Sequence, residues 1–77
     1  MMPDPHLHLT PSEHTMLARI KHQTDQGGLR HSVVLSESRR AIRITDRLTG
    51  LGLIESRHVG ESGTLAFCIT EAGCARL

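Results

Sequence analysis

An α+β fold is what this sequence predicts: three helices, then a two-stranded hairpin and a short terminal helix. Three passages carry the prediction. Leu35 to Ile54 reads LSESRRAIRITDRLTGLGLI, with Arg39, Arg40, Arg43 and Arg47 at i, i+1, i+4 and i+8 and Ala41, Ile44, Leu48 and Leu51 at i, i+3, i+7 and i+10. A helical period of about 3.6 residues turns that spacing into one cationic face and one apolar face. Thr10-Pro11-Ser12-Glu13 matches a capping box at a helix start. Leu65, Phe67 and Ile69 alternate with Ala66 and Cys68 after Gly60-Glu61-Ser62-Gly63, the pattern of a hairpin with one apolar face.

The elements follow in order. Met1 to Leu9 holds two prolines and two histidines without periodicity and reads as a flexible leader, so the domain runs from Thr10 to Leu77. In the first helix Thr10 is the N-cap, Pro11 takes the first helical position, and Glu13 reaches back to the Thr10 amide. Met16, Leu17 and Ile20 form its buried stripe, and it ends near Asp25, before Gln26-Gly27-Gly28. A short second helix is expected from Leu29 to Val34, with Leu29 and Val33 one turn apart and facing inward; Val33-Val34-Leu35 alone fits a short buried strand equally well. Ser36 or Ser38 caps the third helix, which covers about residues 37–49 and stops at Gly50-Leu51-Gly52. Leu53 to Val59 and Thr64 to Ile69 are the hairpin strands. Thr70-Glu71-Ala72-Gly73 starts the last helix, with a capping residue followed by an acid in the first turn.

Composition narrows the function classes. Seventy-seven residues make one small domain, and with Phe67 as the only aromatic and 38% hydrophobic residues the core must come from Leu, Ile, Val, Ala and Met. Oligomerisation would help so small a core. Net charge is +1, but Leu29 to Leu48 holds five arginines against Glu37 and Asp46, a local +3. The start MMPDPHLHLTP has no signal-peptide character and no segment is long and apolar enough to span a membrane, so a cytoplasmic protein is expected. Cys68 and Cys74 are read as reduced thiols, one on a hairpin strand and one in the terminal helix. His6 and His8, with His14 and His22, lack the spacing that fixes a zinc site, and no metal or other cofactor is expected. Without a nucleophile elbow, a phosphate-binding glycine loop or a carboxylate pair, the chain does not read as an enzyme.

A helix buried on one side and arginine-rich on the other suits the major groove of DNA, where the guanidinium fork holds guanine O6 and N7 together. In this reading Arg39, Arg40 and Arg43 carry most of the contact. Ser36 and Ser38 hold phosphate near the helix start, and Arg30 and Arg57 add backbone contacts. The order helix, helix, recognition helix, two-stranded wing is that of a winged helix-turn-helix.

Three passages also resemble the MarR-type transcription regulators. Leu9-Thr10-Pro11-Ser12-Glu13 looks like the start of that family's first domain helix. Asp46-Arg47-Leu48 through Gly52-Leu53-Ile54-Glu55 looks like its helix-to-wing passage, and Ile69-Thr70-Glu71-Ala72-Gly73 is similar to the segment after the wing. The resemblance covers about residues 9–74 and implies a winged helix-turn-helix that regulates transcription by binding double-stranded DNA, as a repressor that occupies a promoter. Leu29-Arg30-His31-Ser32-Val33-Val34 lacks the family's Ala-rich second-helix wording, and Gly60-Glu61-Ser62-Gly63 replaces its acidic-arginine wing tip. Full family members dimerise through additional terminal helices, so a homodimer of this chain has to form in another way. The alternative is a winged-helix adaptor or inhibitor, a phage- or plasmid-type accessory factor that binds a protein partner. It accounts for the low net charge and for Glu55 and Glu61, which would repel phosphate.

Overall fold

A computed structural model describes residues 9–61 and 63–77, so residues 1–8 of the expected leader, His6 and His8 among them, and Ser62 lie outside the described residues, while Leu9, expected to belong to the leader, is half-buried against the core. Four helices and a three-stranded antiparallel sheet follow in the order α1 (Pro11–Thr24), β1 (Leu29–Arg30), α2 (His31–Glu37), α3 (Arg39–Gly50), β2 (Ile54–Val59), β3 (Thr64–Ile69) and α4 (Glu71–Ala75). No helix among the described residues is long and apolar enough to cross a membrane.

α1 begins as its sequence dictates. Thr10 Oγ1 accepts from Glu13 N–H at 3.2 Å, and Glu13 Oε1 accepts from Thr10 N–H at 2.8 Å, satisfying two amides that a helix start leaves open. Its inward stripe is Met16, Leu17 and Ile20, all buried.

The strand count differs from the expected two. Leu29 and Arg30 do not open a helix; they pair antiparallel with Phe67 and Ala66. Leu29 and Val33 stand four apart and mimic one helical turn, and only the free edge of β3, remote in sequence, decides for a strand. α2 therefore starts at His31 and its inward residue is Val34, 1% exposed, while Val33 stays 37% exposed. α2 ends at Glu37, and Ser38 alone separates it from α3. Ser38 Oγ accepts from Ala41 N–H at 3.1 Å and is the cap; Ser36 lies inside α2 and donates to the Val33 carbonyl at 2.8 Å.

α3 buries Ala41, Thr45 and Leu48 and half-buries Ile44 and Leu51. Thr45, absent from the expected stripe, sits inside because its hydroxyl is satisfied by the Ala41 and Ile42 carbonyls, at 3.2 and 2.9 Å. β2 starts one residue later than expected, and β3 has the expected bounds.

The sheet order is β1-β3-β2, with Ile54 opposite Ile69, Ser56 opposite Phe67 and His58 opposite Leu65. β3 is thus central, and Ala66 and Cys68 are buried along with Phe67, where a single apolar face was expected. The turn after α1 supplies the second cover: a Cβ on Gly28 would lie 2.5 Å from the Phe67 carbonyl oxygen and 2.8 Å from Cys68 Sγ. α4 is closed against the start of β2 in a similar way, since a Cβ on Gly73 would collide with the Leu53 carbonyl.

Candidate nucleic-acid interface

The four arginines of α3 do not share one role. Arg39 and Arg43 are one turn apart, exposed, and without a hydrogen bond or ion pair among the described residues. Asp46, also exposed, continues their stripe at i+7 from Arg39. Arg40 and Arg47, seven apart, lean toward the start of α1. Arg40 Nη2 donates to Ser12 Oγ at 2.8 Å, and Arg47 Nε meets Glu13 Oε2 at 2.5 Å. Glu13 is 5% exposed and divides its carboxylate, one oxygen for the capping box and one for Arg47. The sequence marks Glu13 as a cap but not its second partner, because the carboxylate's other oxygen meets Arg47 only once α3 lies across α1.

Arg19 links α1 to the end of α2, its guanidinium meeting both oxygens of Glu37 at 3.0 and 2.5 Å. That hydrogen bonding holds the Glu37 carboxyl below its usual range and the Arg19 guanidinium above its own. Both side chains are exposed, so solvent screens the pair and it adds little to stability. A groove of about 440 Å³ between α1 and α3 is lined by Ser12, Met16, Arg19, Ser38, Arg40 and Ile44, among others.

Arg30 and Arg57 stand elsewhere. Both oppose Ala66 in the sheet, so their side chains lie on the face opposite that of Leu29, Ser56 and Phe67. α3 packs on the Phe67 side, where Thr45, Asp46, Thr49, Ser56 and Phe67 line one cavity of about 160 Å³. Arg57 is already ion-paired with Glu55 along β2. Of the residues that sequence marks for a nucleic-acid surface, the structure therefore brings together Ser38, Arg39, Arg40 and Arg43, leaves Ser36 on α2, and puts Arg30 and Arg57 across the sheet.

His31, which the sequence did not single out, closes the gap between α2 and the sheet. Its ring stacks on Phe67 with centroids 3.8 Å apart and planes 15° from parallel, and its Nε2 shares a 3.1 Å hydrogen bond with Ser56 Oγ. Desolvation lowers its pKa from the ordinary histidine value, so the fold favours the neutral ring. Stability from this contact is complete above the unfolded value of about 6.5 and is lost as pH falls through the lower folded value. Comparing thermal melts at pH 7.5 and pH 5, the wild type should lose more than His31→Phe, which keeps the stack without titrating. Equal losses would show that protonation of His31 does not strain the fold.

Among the described residues no three His, Cys, Asp or Glu side chains converge to hold a metal ion. Cys68 is buried and Cys74 exposed, both as free thiols.

No protein-family model, curated protein or solved structure matches this chain.

Proposed function

We propose that this chain is a small winged helix-turn-helix protein, a short relative of the MarR-type regulators, that binds double-stranded DNA and acts on transcription by occupying a promoter. The order of α1, β1, α2, α3 and the β2–β3 hairpin is compatible with such a domain. The observation that carries the reading is the outer stripe of α3, where Arg39 and Arg43 extend from a helix anchored on its opposite side by Leu48, Thr45 and Ala41. Two guanidinium groups free of internal partners keep their donors for base edges or phosphates, and Asp46 on the same stripe offers an acceptor for a cytosine amine. Arg40, hydrogen-bonded to Ser12 across the two helices, adds a phosphate contact. Arg30 and Arg57 fall outside the primary surface.

A protein-binding role is the second reading, supported by Leu35 and Val33 on α2, 64% and 37% exposed. Fluorescence anisotropy against the DNA upstream of the chain's own gene and a scrambled duplex, across a salt series, separates the two. Binding to DNA should weaken steeply with salt as counterions are released, and Arg39→Ala and Arg43→Ala should each cost about 1 to 3 kcal/mol where the residue reaches a base. Arg30→Ala should cost less than either. A folded protein that binds no duplex at low salt rules out the DNA reading and favours the α2 surface.

A further inference from the structure

α2, α3 and the Phe67 face of the sheet meet around the cleft of about 160 Å³, and its lining is one-sided in its chemistry. Val34, Leu35, Ile42 and Phe67 supply the apolar walls. The polar wall is α3, where Thr45, Asp46 and Thr49 stand at i, i+1 and i+4 and so share a side of the helix. Thr45 donates its hydroxyl hydrogen to the Ala41 and Ile42 carbonyls, and Thr49 donates its own to the Thr45 carbonyl at 2.8 Å. Each threonine oxygen is left with lone pairs alone to offer the cleft. The Asp46 carboxylate is also acceptor-only, and it has no hydrogen bond or ion pair among the described residues. On the remaining walls His31 Nε2 and Ser56 Oγ share their 3.1 Å bond, and the His31 ring is neutral at pH 7. Asp46 is therefore the one formal charge that lines the cleft among the described residues.

We propose that this cleft is a binding site for a small organic cation, whose ammonium or amidinium group meets Asp46 and the threonine oxygens while a body about the size of one ring packs on Val34, Leu35, Ile42 and Phe67. A row of acceptors without a donor calls for a ligand group that only donates, and N–H donors carrying positive charge make the strongest such bonds to a carboxylate. An anionic ligand would set its own lone pairs and charge against Asp46. A purely apolar one would cover the carboxylate and give it no partner in place of water. Size follows from volume, since a cavity of about 150 Å³ holds one benzene ring. An apolar body oriented by a few polar groups is the usual form of a small-molecule site. Arg39, Arg43 and Arg47 are exposed on the same helix and do not line the cleft, so solvent screens their repulsion while Asp46 acts at contact distance. This binding does not rest on the DNA reading and is measured without DNA.

Titration of the isotope-labelled protein with benzylamine, followed by the amide shifts in its NMR spectrum, tests the site. Benzylamine should bind saturably with a Kd of about 1 mM or tighter and shift the amides of Val34, Asp46, Thr49 and Ser56. Benzyl alcohol, of the same shape without the charge, should bind at least about tenfold more weakly, and benzoate more weakly still. Asp46→Asn, an exposed position whose change leaves the core intact, should bring the amine down to the affinity of the alcohol. Ile42→Phe should fill the cleft and abolish binding of both, with circular dichroism confirming its fold. Asp25→Asn, on an exposed acid at the end of α1, should change nothing. No saturable shift by about 10 mM benzylamine overturns the proposal. So does equal binding of amine and alcohol, a preference for the amine that survives in Asp46→Asn, or a response that follows Asp25 instead.

Discussion

Gly28→Ala should destabilise the domain by about 2 to 5 kcal/mol, the sum of a left-handed backbone forced on an L-residue and an overpacked contact. Gly28 has φ +95°, and its missing Cβ is where the Phe67 carbonyl oxygen, Cys68 Sγ and Ala66 Cβ approach, at 2.5, 2.8 and 3.2 Å. The nearest of these is backbone of the central strand, which cannot yield without disturbing the pairing of Leu29 with Phe67. Gly27 is the built-in control: its φ is +96°, yet nothing lies within 4 Å of its added Cβ. Gly27→Ala should therefore cost only the backbone part, about 1 to 2 kcal/mol. Urea midpoints at unchanged slope measure the difference between the two variants. Equal costs would mean that the turn does not press on β3.

Leu48→Ala should cost about 2 to 5 kcal/mol, a large share of the total stability of so small a domain. Leu48 is fully buried on α3 and belongs to the one core cluster that joins Leu17 and Ile20 of α1, Val34 of α2 and Ile54 and Phe67 of the sheet. Truncation leaves a cavity that three layers would have to collapse to fill. Ile44 is half-buried on the rim of that cluster, and Ile44→Ala should cost less than about 2 kcal/mol by the same reasoning. A reversed order would mean that α3 is rotated about its axis, which would carry Arg39 and Arg43 off the outer face as well.

The anchoring face of α3 was legible because residues spaced by three and four must share a side of any helix. Ala41, Leu48 and the partial burial of Ile44 and Leu51 follow from that period alone. The opposite face was legible only as a set of arginines. Whether a guanidinium remains open depends on what lies beside it, and Arg40 and Arg47 meet Ser12 and Glu13, which are 28 and 34 residues away in the chain. The same limit applies to Arg30 and Arg57: sequence shows their charge, and strand register decides that they stand across the sheet from α3.

By itself the sequence determined what short-range stereochemistry determines. The Thr10 and Glu13 capping box, a serine cap before α3 at Ser36 or Ser38, the apolar stripes of α1 and α3 and the bounds of β3 each depend on residues within a few positions of one another, and the structure selects Ser38 for the cap. Tertiary structure alone decided β1, the inward turn of Val34 rather than Val33, the burial of Thr45 and of both faces of β3, and the stacking of His31 on Phe67. A two-residue strand has too little local preference to form unaided, so it exists only because the open edge of β3 supplies its hydrogen bonds. Once β1 is in place, His31 is the first residue of α2, and that one offset fixes which side of the helix meets the core.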